Sequence, residues 1–139
     1  MLKIFLAVLF SFSSVQAVTL KVIGKNGEVL FSGESESSLP KTVGQVSVDF
    51  FKQNQIPFVG DIDGIVSIHG LGSDLDVISD TDMKAYGWCY SVNGTVPEDF
   101  VHKINIIDQK TELIWFYAYA YYKAGEWTQQ CVPHGEEKM

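Results

Sequence analysis

The feature that most constrains this chain is the run Leu-Ile-Trp-Phe-Tyr-Ala-Tyr-Ala-Tyr-Tyr at positions 113–122. Such a β-branched and aromatic run predicts a long strand, whose side chains alternate between two faces of a sheet. One face then carries the larger rings, namely Trp115, Tyr117, Tyr119 and Tyr121. The other carries Ile114, Phe116, Ala118, Ala120 and Tyr122. Because alanines leave room for a close neighbour, we expect a helix over the alanine face, with the Trp-Tyr face turned away from it.

This aromatic stripe has two interpretations, which the sequence leaves open. Its rings are either packed beneath a loop and the C-terminal hairpin, with the phenol hydroxyls at the rim, or displayed as a flat platform. A platform of tryptophan and tyrosine would suit a planar ligand, a sugar or a protein partner.

A second aromatic run, Tyr86-Gly-Trp-Cys-Tyr-Ser-Val-Asn-Gly94, predicts a strand over residues 83–92 that ends in a tight turn. Asn93-Gly94 tolerates positive φ at both positions and is typical of two-residue hairpin turns. An apolar strand over 65–69 precedes it, and the acidic segment 70–82 between the two is predicted to be a loop. Further strands are expected over 18–23, 28–32, 101–107 and 127–132.

One helix is predicted between the opening hairpin and the middle strands. Thr42 with Gln45 three residues later forms a capping-box signature, and Val43, Val46 and Phe50 follow at helical spacing to about Asn54. The chain is therefore predicted to be an α+β domain: a small, mostly antiparallel β-sheet with one helix packed on one face, similar to a β-grasp.

The ends of the chain predict export. Lys3, the apolar stretch 4–12 and Val15-Gln-Ala17 have the form of a secretory signal peptide at residues 1–17. The single domain is expected over 18–132 and a polar, disordered tail over 133–139. No run is long enough to span a bilayer, so we expect a secreted, extracellular or periplasmic protein without membrane insertion.

The charges bear on the partner. The chain has 10 lysines, no arginine and 17 acidic residues, for a net charge of −7. Without arginine's planar fork and with this acidity, a nucleic-acid partner is disfavoured. A small molecule or an extracellular protein is the expected partner.

Two cysteines, Cys89 and Cys131, occur in a chain expected to leave the reducing compartment, which predicts one disulfide between them. A metal pair and a free thiol are the alternatives. Zinc needs four ligands, which two cysteines alone do not supply.

No catalytic motif is recognisable. His69, His102 and His134 have no serine or cysteine at a motif spacing, and no phosphate loop or dinucleotide fingerprint occurs. The acidic pairs around residues 61–63, 74–76 and 80–82 miss the spacing of a calcium loop, so a solvated acidic loop is favoured over a calcium site. We expect a non-catalytic protein with no metal.

The strand at 65–71, Gly87-Trp88 and Val92-Asn93-Gly94 together resemble the small β-rich C-terminal domain of transcobalamin-type vitamin B12 carriers. This domain also recurs, without an assigned function, in bacterial and archaeal surface proteins. The resemblance covers residues 18 to about 119. In the carriers this domain caps the corrin ring, which implies cobalamin as a candidate ligand and Tyr86, Trp88 and Tyr90 as its nearest contacts.

Three features depart from the family pattern. The large helical domain of the carriers is missing, the segment 108–111 lacks the family's Gly-Asp turn, and the strand 127–132 with its disulfide is an addition. We therefore expect a secreted binding module for a small, cobalamin-type ligand. The alternative is a structural or protein-interaction domain. The candidate ligand-binding residues share the two aromatic strands: Tyr86, Trp88, Tyr90, Trp115, Tyr117 and Tyr119.

Overall fold

The computed structural model describes residues 17–136, so the predicted signal peptide lies outside the described residues except for Ala17. The domain is a β-rich α+β fold with ten strands, one α-helix and a closing 3-10 turn. The elements are β1 Thr19–Ile23, β2 Val29–Glu34, β3 Lys41–Thr42, α1 Val43–Gln53, β4 Phe58–Asp61, β5 Gly64–Ile68, β6 Asp74–Val77, β7 Asp82–Val92, β8 Asn105–Ile106, β9 Glu112–Lys123, β10 Glu126–Pro133 and the 3-10 turn His134–Glu136.

The main sheet has six strands in the order β2-β1-β9-β7-β6, and β10 also pairs with β9. The aromatic run predicted as a long strand is β9, which pairs with β7 from Leu113 to Lys123. On its other edge β9 pairs first with β1, in parallel, and then with β10, in antiparallel register. The pairs β3-β8 and β4-β5 form two small separate sheets.

The helix forms as the sequence predicts. The hydroxyl of Thr42 accepts the Gln45 backbone N–H at 3.1 Å, and the Gln45 side chain accepts the Thr42 N–H at 3.0 Å. This capping box satisfies amides that lack an intrahelical partner.

The prediction of the helix position is wrong, because α1 packs on the Trp-Tyr face of the sheet and not on the alanine face. Trp115 is 2 % exposed and its indole lies 6.5 Å from the ring of Phe51 on the helix. Leu20 and Val22 of β1, which share this face by register, are fully buried. We call this side of the sheet the helix face and the side carrying Ala118 and Ala120 the open face.

Two other predictions fail for identifiable reasons. Residues 101–107 form no continuous strand, since Val101 and Ile104 give their carbonyls to the free N–H groups of Gly44 and Val43, at 3.0 and 2.9 Å, in the first turn of α1. The predicted acidic loop 70–82 contains β6, whose backbone pairs with β7 in register from Asp74↔Tyr86 to Val77↔Met83.

The predicted turn at Asn93-Gly94 is confirmed, with φ of 50° and 81° and both hydrogen bonds between Val92 and Thr95. Between residues 17 and 136, no helix has the length and hydropathy needed to cross a membrane.

Candidate binding surface

Three of the six aromatic residues predicted to contact a ligand are buried: Tyr90, Trp115 and Tyr117 are 8 %, 2 % and 3 % exposed. The rings of Tyr90 and Trp115 lie 5.5 Å apart beneath the helix. The Trp115 indole donates a hydrogen bond to the hydroxyl of Ser47 on α1 at 2.8 Å. These rings pack in the interior, which favours the packing interpretation for this part of the stripe.

The segment after β5 crosses the next pair of rings. Trp88 Nε1 donates to the carbonyl of Leu71 at 2.6 Å, and the Tyr117 hydroxyl donates to the carbonyl of Gly72 at 2.8 Å. The polar atoms of both rings are therefore used to hold this loop on the sheet. Trp88 itself remains half-buried.

The last two candidates, Tyr86 and Tyr119, are half-buried. They lie on the helix face, toward the end of β9 that carries Lys123. The Lys84 ammonium lies 4.9 Å from the centre of the Tyr119 ring. A cleft of about 270 Å³ opens beside Tyr86 and is lined by Lys25, Asp74, Leu75, Asp76, Tyr86, Tyr117 and His134. Burial and then the carboxylates of Asp76 and Asp74 raise the pKa of the Tyr86 phenol.

His134 closes one side of this cleft, although the sequence predicts a disordered tail from residue 133. Its imidazole lies 5.2 Å from the Tyr86 ring and 5.7 Å from the Tyr117 ring. Pro133 still belongs to β10, and the 3-10 turn after it is held by these ring contacts. Residues 137–139 lie outside the described residues.

The predicted disulfide is confirmed, with Cys89 and Cys131 joined at an S–S distance of 2.08 Å and a Cα–Cα distance of 5.8 Å. Cys89 lies on β7 and Cys131 on β10, and β9 runs between these two strands. Since neighbouring strands are about 4.8 Å apart, strands on either side of β9 would be separated by almost twice that distance. The β10 chain must therefore rise over the open face of β9 to reach Cys89.

Two register shifts in β10, between Trp127 and Gln129 and between Gln129 and Val132, produce this rise. Beneath it, a hollow of about 270 Å³ is lined by small residues of β7 and β9, among them Ala85, Gly87, Ala118 and Ala120. The alanines that suggested a helix thus leave room for the bulge that carries Cys131.

The open face bears an uncovered apolar surface that the sequence pattern does not predict. In register, one row of side chains crosses four strands, and we call it the apolar row: Val77, Met83, Tyr122 and Trp127. Val77 is 67 % and Trp127 48 % exposed. Leu75, 55 % exposed, lies in the next row beside Ala85 and Ala120. The alternation Asp-Leu-Asp-Val at 74–77 is the sequence signal for one strand of this surface.

A second concave region lies on the open face toward the end of β9 that carries Glu112, where β1 and β10 meet along β9. It has a volume of about 350 Å³ and mostly apolar walls, including Ile23, Ile114, Phe116 and Pro133. Of the predicted ligand-binding residues, only Tyr117 contributes to it.

Each histidine lies against an aromatic ring: His69 against Phe31 at 5.2 Å, His102 against Phe100 at 5.8 Å, and His134 as described above. In the described part of the chain, both cysteines are oxidised and no three or more His, Cys, Asp or Glu side chains come together as a metal site.

No protein-family model, no curated protein and no solved structure matches this chain. The resemblance to the transcobalamin-type domain therefore stays a prediction from the sequence motifs.

Proposed function

We propose that this chain is a secreted, non-catalytic binding module that holds a protein partner on its open face. The observation that carries the proposal is the apolar row, four large side chains across four strands with Val77 67 % exposed. Monomeric proteins rarely leave a contiguous apolar surface of this kind uncovered, and such surfaces commonly mark interaction sites.

The composition of the surface supports a protein partner. Trp127 packs edge-on against Tyr122, with ring centres 5.1 Å apart, so the aromatic anchor is held in position before binding. Large, preorganised aromatic side chains carry much of the binding energy in protein interfaces. The exposed aliphatic side chains of Leu75 and Val77 extend the same surface to the sheet edge.

The proposal also includes that the protein is secreted and that it is not an enzyme. Both thiols are joined in a disulfide, which suits an oxidising compartment, and each histidine packs on a ring. For the β-grasp-like fold, the support is the parallel pairing of β1 with the late strand β9 and the single helix packed on one face of the sheet.

The experiment places a photo-crosslinking benzoylphenylalanine at position 127 in the exporting host. We expect a discrete higher-mass adduct in the extracytoplasmic fraction, and we expect Val77→Asp to abolish it. The same group at Lys110, beyond the opposite end of the 12-residue β9, is the matched control and should give no such adduct. Equal adducts from both positions, or none from either, would refute the proposal.

A corrinoid ligand is the second candidate, favoured by the half-exposed rings of Tyr86, Trp88 and Tyr119. The three cavities described above, of 270–350 Å³, are at the lower end of small-molecule sites, so a ligand as large as a corrinoid would rest on the surface. Calorimetric titration with cobalamin decides this candidate. Binding with a Kd below about 50 µM, or about −6 kcal/mol, supports the corrinoid candidate if Tyr119→Ala weakens it. The absence of any heat of binding refutes this candidate.

A further inference from the structure

The strand β6 ends the main sheet next to the apolar row. Its inner side pairs with β7, and within residues 17–136 no strand pairs with its outer side. All four of its residues, Asp74–Val77, are exposed. A strand edge of this kind offers unpaired backbone groups to another extended chain.

The direction of these backbone groups follows from one hydrogen bond. Ile78 N–H donates inward to the carbonyl of Asp82 at 3.0 Å. Because backbone groups of successive residues point to opposite sides of a strand, the N–H and C=O of Leu75 and Val77 point outward. Leu75 N–H is held by Asp74 Oδ1 at 2.8 Å, which brings a carboxylate to the same edge.

The side chains of β6 are apolar on one face of the sheet and acidic on the other. Leu75 and Val77 lie on the open face, next to Ala85 and Met83 of β7. Asp74 and Asp76 lie on the helix face, next to Tyr86 and Lys84. The segment 74–82 contains four aspartates and no basic residue, and the chain as a whole carries a net charge of −7.

We propose, on the basis of the protein-binding function above, that β6 accepts an extended segment of the partner as an added strand, in which basic residues alternate with apolar ones. The apolar side chains of the added strand lie over Leu75 and Val77 and continue the apolar row. Its basic side chains lie on the other face and pair with Asp74 and Asp76. Main-chain hydrogen bonds and alternate side-chain contacts are the general basis of strand addition.

Charge argues against a second copy of this chain as the occupant. Two β6 edges paired in antiparallel fashion would place aspartates of one copy opposite aspartates of the other, and like charges directly across a strand pair destabilise it. The lysines nearby are Lys84, across from Asp76 on β7, and Lys25, in the wall of the cleft that both aspartates line. Both lie on the inner side of these carboxylates, whereas the added strand approaches from the outer edge.

The test uses a fluorescent heptapeptide of alternating lysine and valine, titrated into the intact protein and followed by anisotropy. We expect saturable binding that weakens as salt is added. Three control peptides should fail: one with glutamate in place of lysine, one with the same composition in two blocks, and one N-methylated at alternate positions so that it cannot pair. In the complex, amide exchange at Val77, whose N–H points to the outer edge, should slow.

The matched protein variant is Asp74→Asn/Asp76→Asn, in which an amide oxygen can still accept the Leu75 N–H. It should fold with an unchanged circular dichroism spectrum and bind the alternating peptide about fivefold to tenfold more weakly. Equal binding of the N-methylated peptide would overturn strand addition and leave only charge attraction. Equal affinity of the variant would overturn the role of the aspartates.

The outcomes separate this inference from the proposed function. A crosslinked adduct at position 127 together with no peptide binding keeps the protein-binding function and removes the added strand. If neither the crosslinked adduct nor peptide binding is observed, both the protein-binding function and the added strand are refuted. A protein that is dimeric in light scattering, and becomes monomeric on Val77→Lys, would show that a second copy occupies this edge and would overturn the inference.

Discussion

The indole N–H of Trp115 on β9 and the hydroxyl of Ser47 on α1 form a buried hydrogen bond of 2.8 Å between the sheet and the helix. Ser47 is fully buried and Trp115 is 2 % exposed. This bond gives the only N–H of the indole a partner at the point where the helix crosses the central strand. The helix therefore has a chemical reason to lie on the Trp-Tyr face.

We expect Ser47→Ala to lower the free energy of unfolding by about 1–3 kcal/mol, because it leaves a buried indole N–H without an acceptor. Urea denaturation measures the change. In a Trp115→Phe background the same substitution should cost clearly less, since the donor is gone. The exposed Ser38→Ala is the control and should stay within about 0.5 kcal/mol of the wild type. An equal cost of Ser47→Ala in both backgrounds would contradict the proposed role of the bond.

Gly44→Ala should destabilise the protein even though alanine favours helix formation. A Cβ at Gly44 would lie 1.9 Å from the backbone carbonyl oxygen of Ile62, so the β4-β5 turn or the helix would have to move. The expected cost is about 1–3 kcal/mol or more, which outweighs a helix-propensity gain of about 1 kcal/mol. Gly64→Ala is the matched control, because its Cβ would meet no heavy atom within 4 Å. A stabilised Gly44→Ala protein in thermal melts would contradict the close approach.

Removal of the disulfide should lower stability substantially. Cys89 and Cys131 are separated by 42 positions, and closing a loop of that length contributes about 4 kcal/mol in the chain-entropy description. For a domain of this size this corresponds to a fall in Tm of roughly 15 °C, measured on Cys89→Ser/Cys131→Ser or on the wild type with reductant. An unchanged Tm in the double variant would contradict the prediction.

Alkaline pH should destabilise the fold in a defined way. Burial is the largest cause that raises the pKa of Tyr86, Tyr90 and Tyr117 above the ordinary value of 10.0, and nearby aspartates add to it. Above pH 10 the unfolded chain therefore holds fewer protons than the folded one. The contribution of these groups to stability is fully present below pH 10 and is lost as pH rises through the raised pKa values.

Phenolate absorbance checks this prediction. Tyr86, Tyr90 and Tyr117 should ionise above pH 10, and Tyr117→Phe should remove one of these late transitions. Ionisation of these three phenols at pH 10, with the circular dichroism spectrum still native, would contradict it.

Local signals in the sequence predicted much of the fold. The capping box at Thr42 and Gln45 and the positive-φ turn at Asn93-Gly94 depend on neighbours within a few residues, so the pattern alone sufficed. The disulfide was also predictable, since two cysteines have only one possible pairing.

The remaining features depend on contacts between distant parts of the chain. The small side chains of Ala118 and Ala120 accommodate a bulge in β10 rather than α1. The residues near position 118 contain no local signal that distinguishes these two neighbours. The strand β6 is acidic and exposed on every residue, so composition indicated a loop. The apolar row could not be predicted because it needs the register of β6, β7, β9 and β10 together.

The parallel pairing of β1 with β9 has a consequence for how the molecule is made. Thr19 faces Glu112 and Ile23 faces Phe116, so β1 stays without its inner neighbour until residues 112–116 have been synthesised. A chain that emerges from a ribosome, amino end first, holds the β1-β2 hairpin with the inner edge of β1 unpaired until β9 follows. The main sheet can therefore close only after β9 has been made.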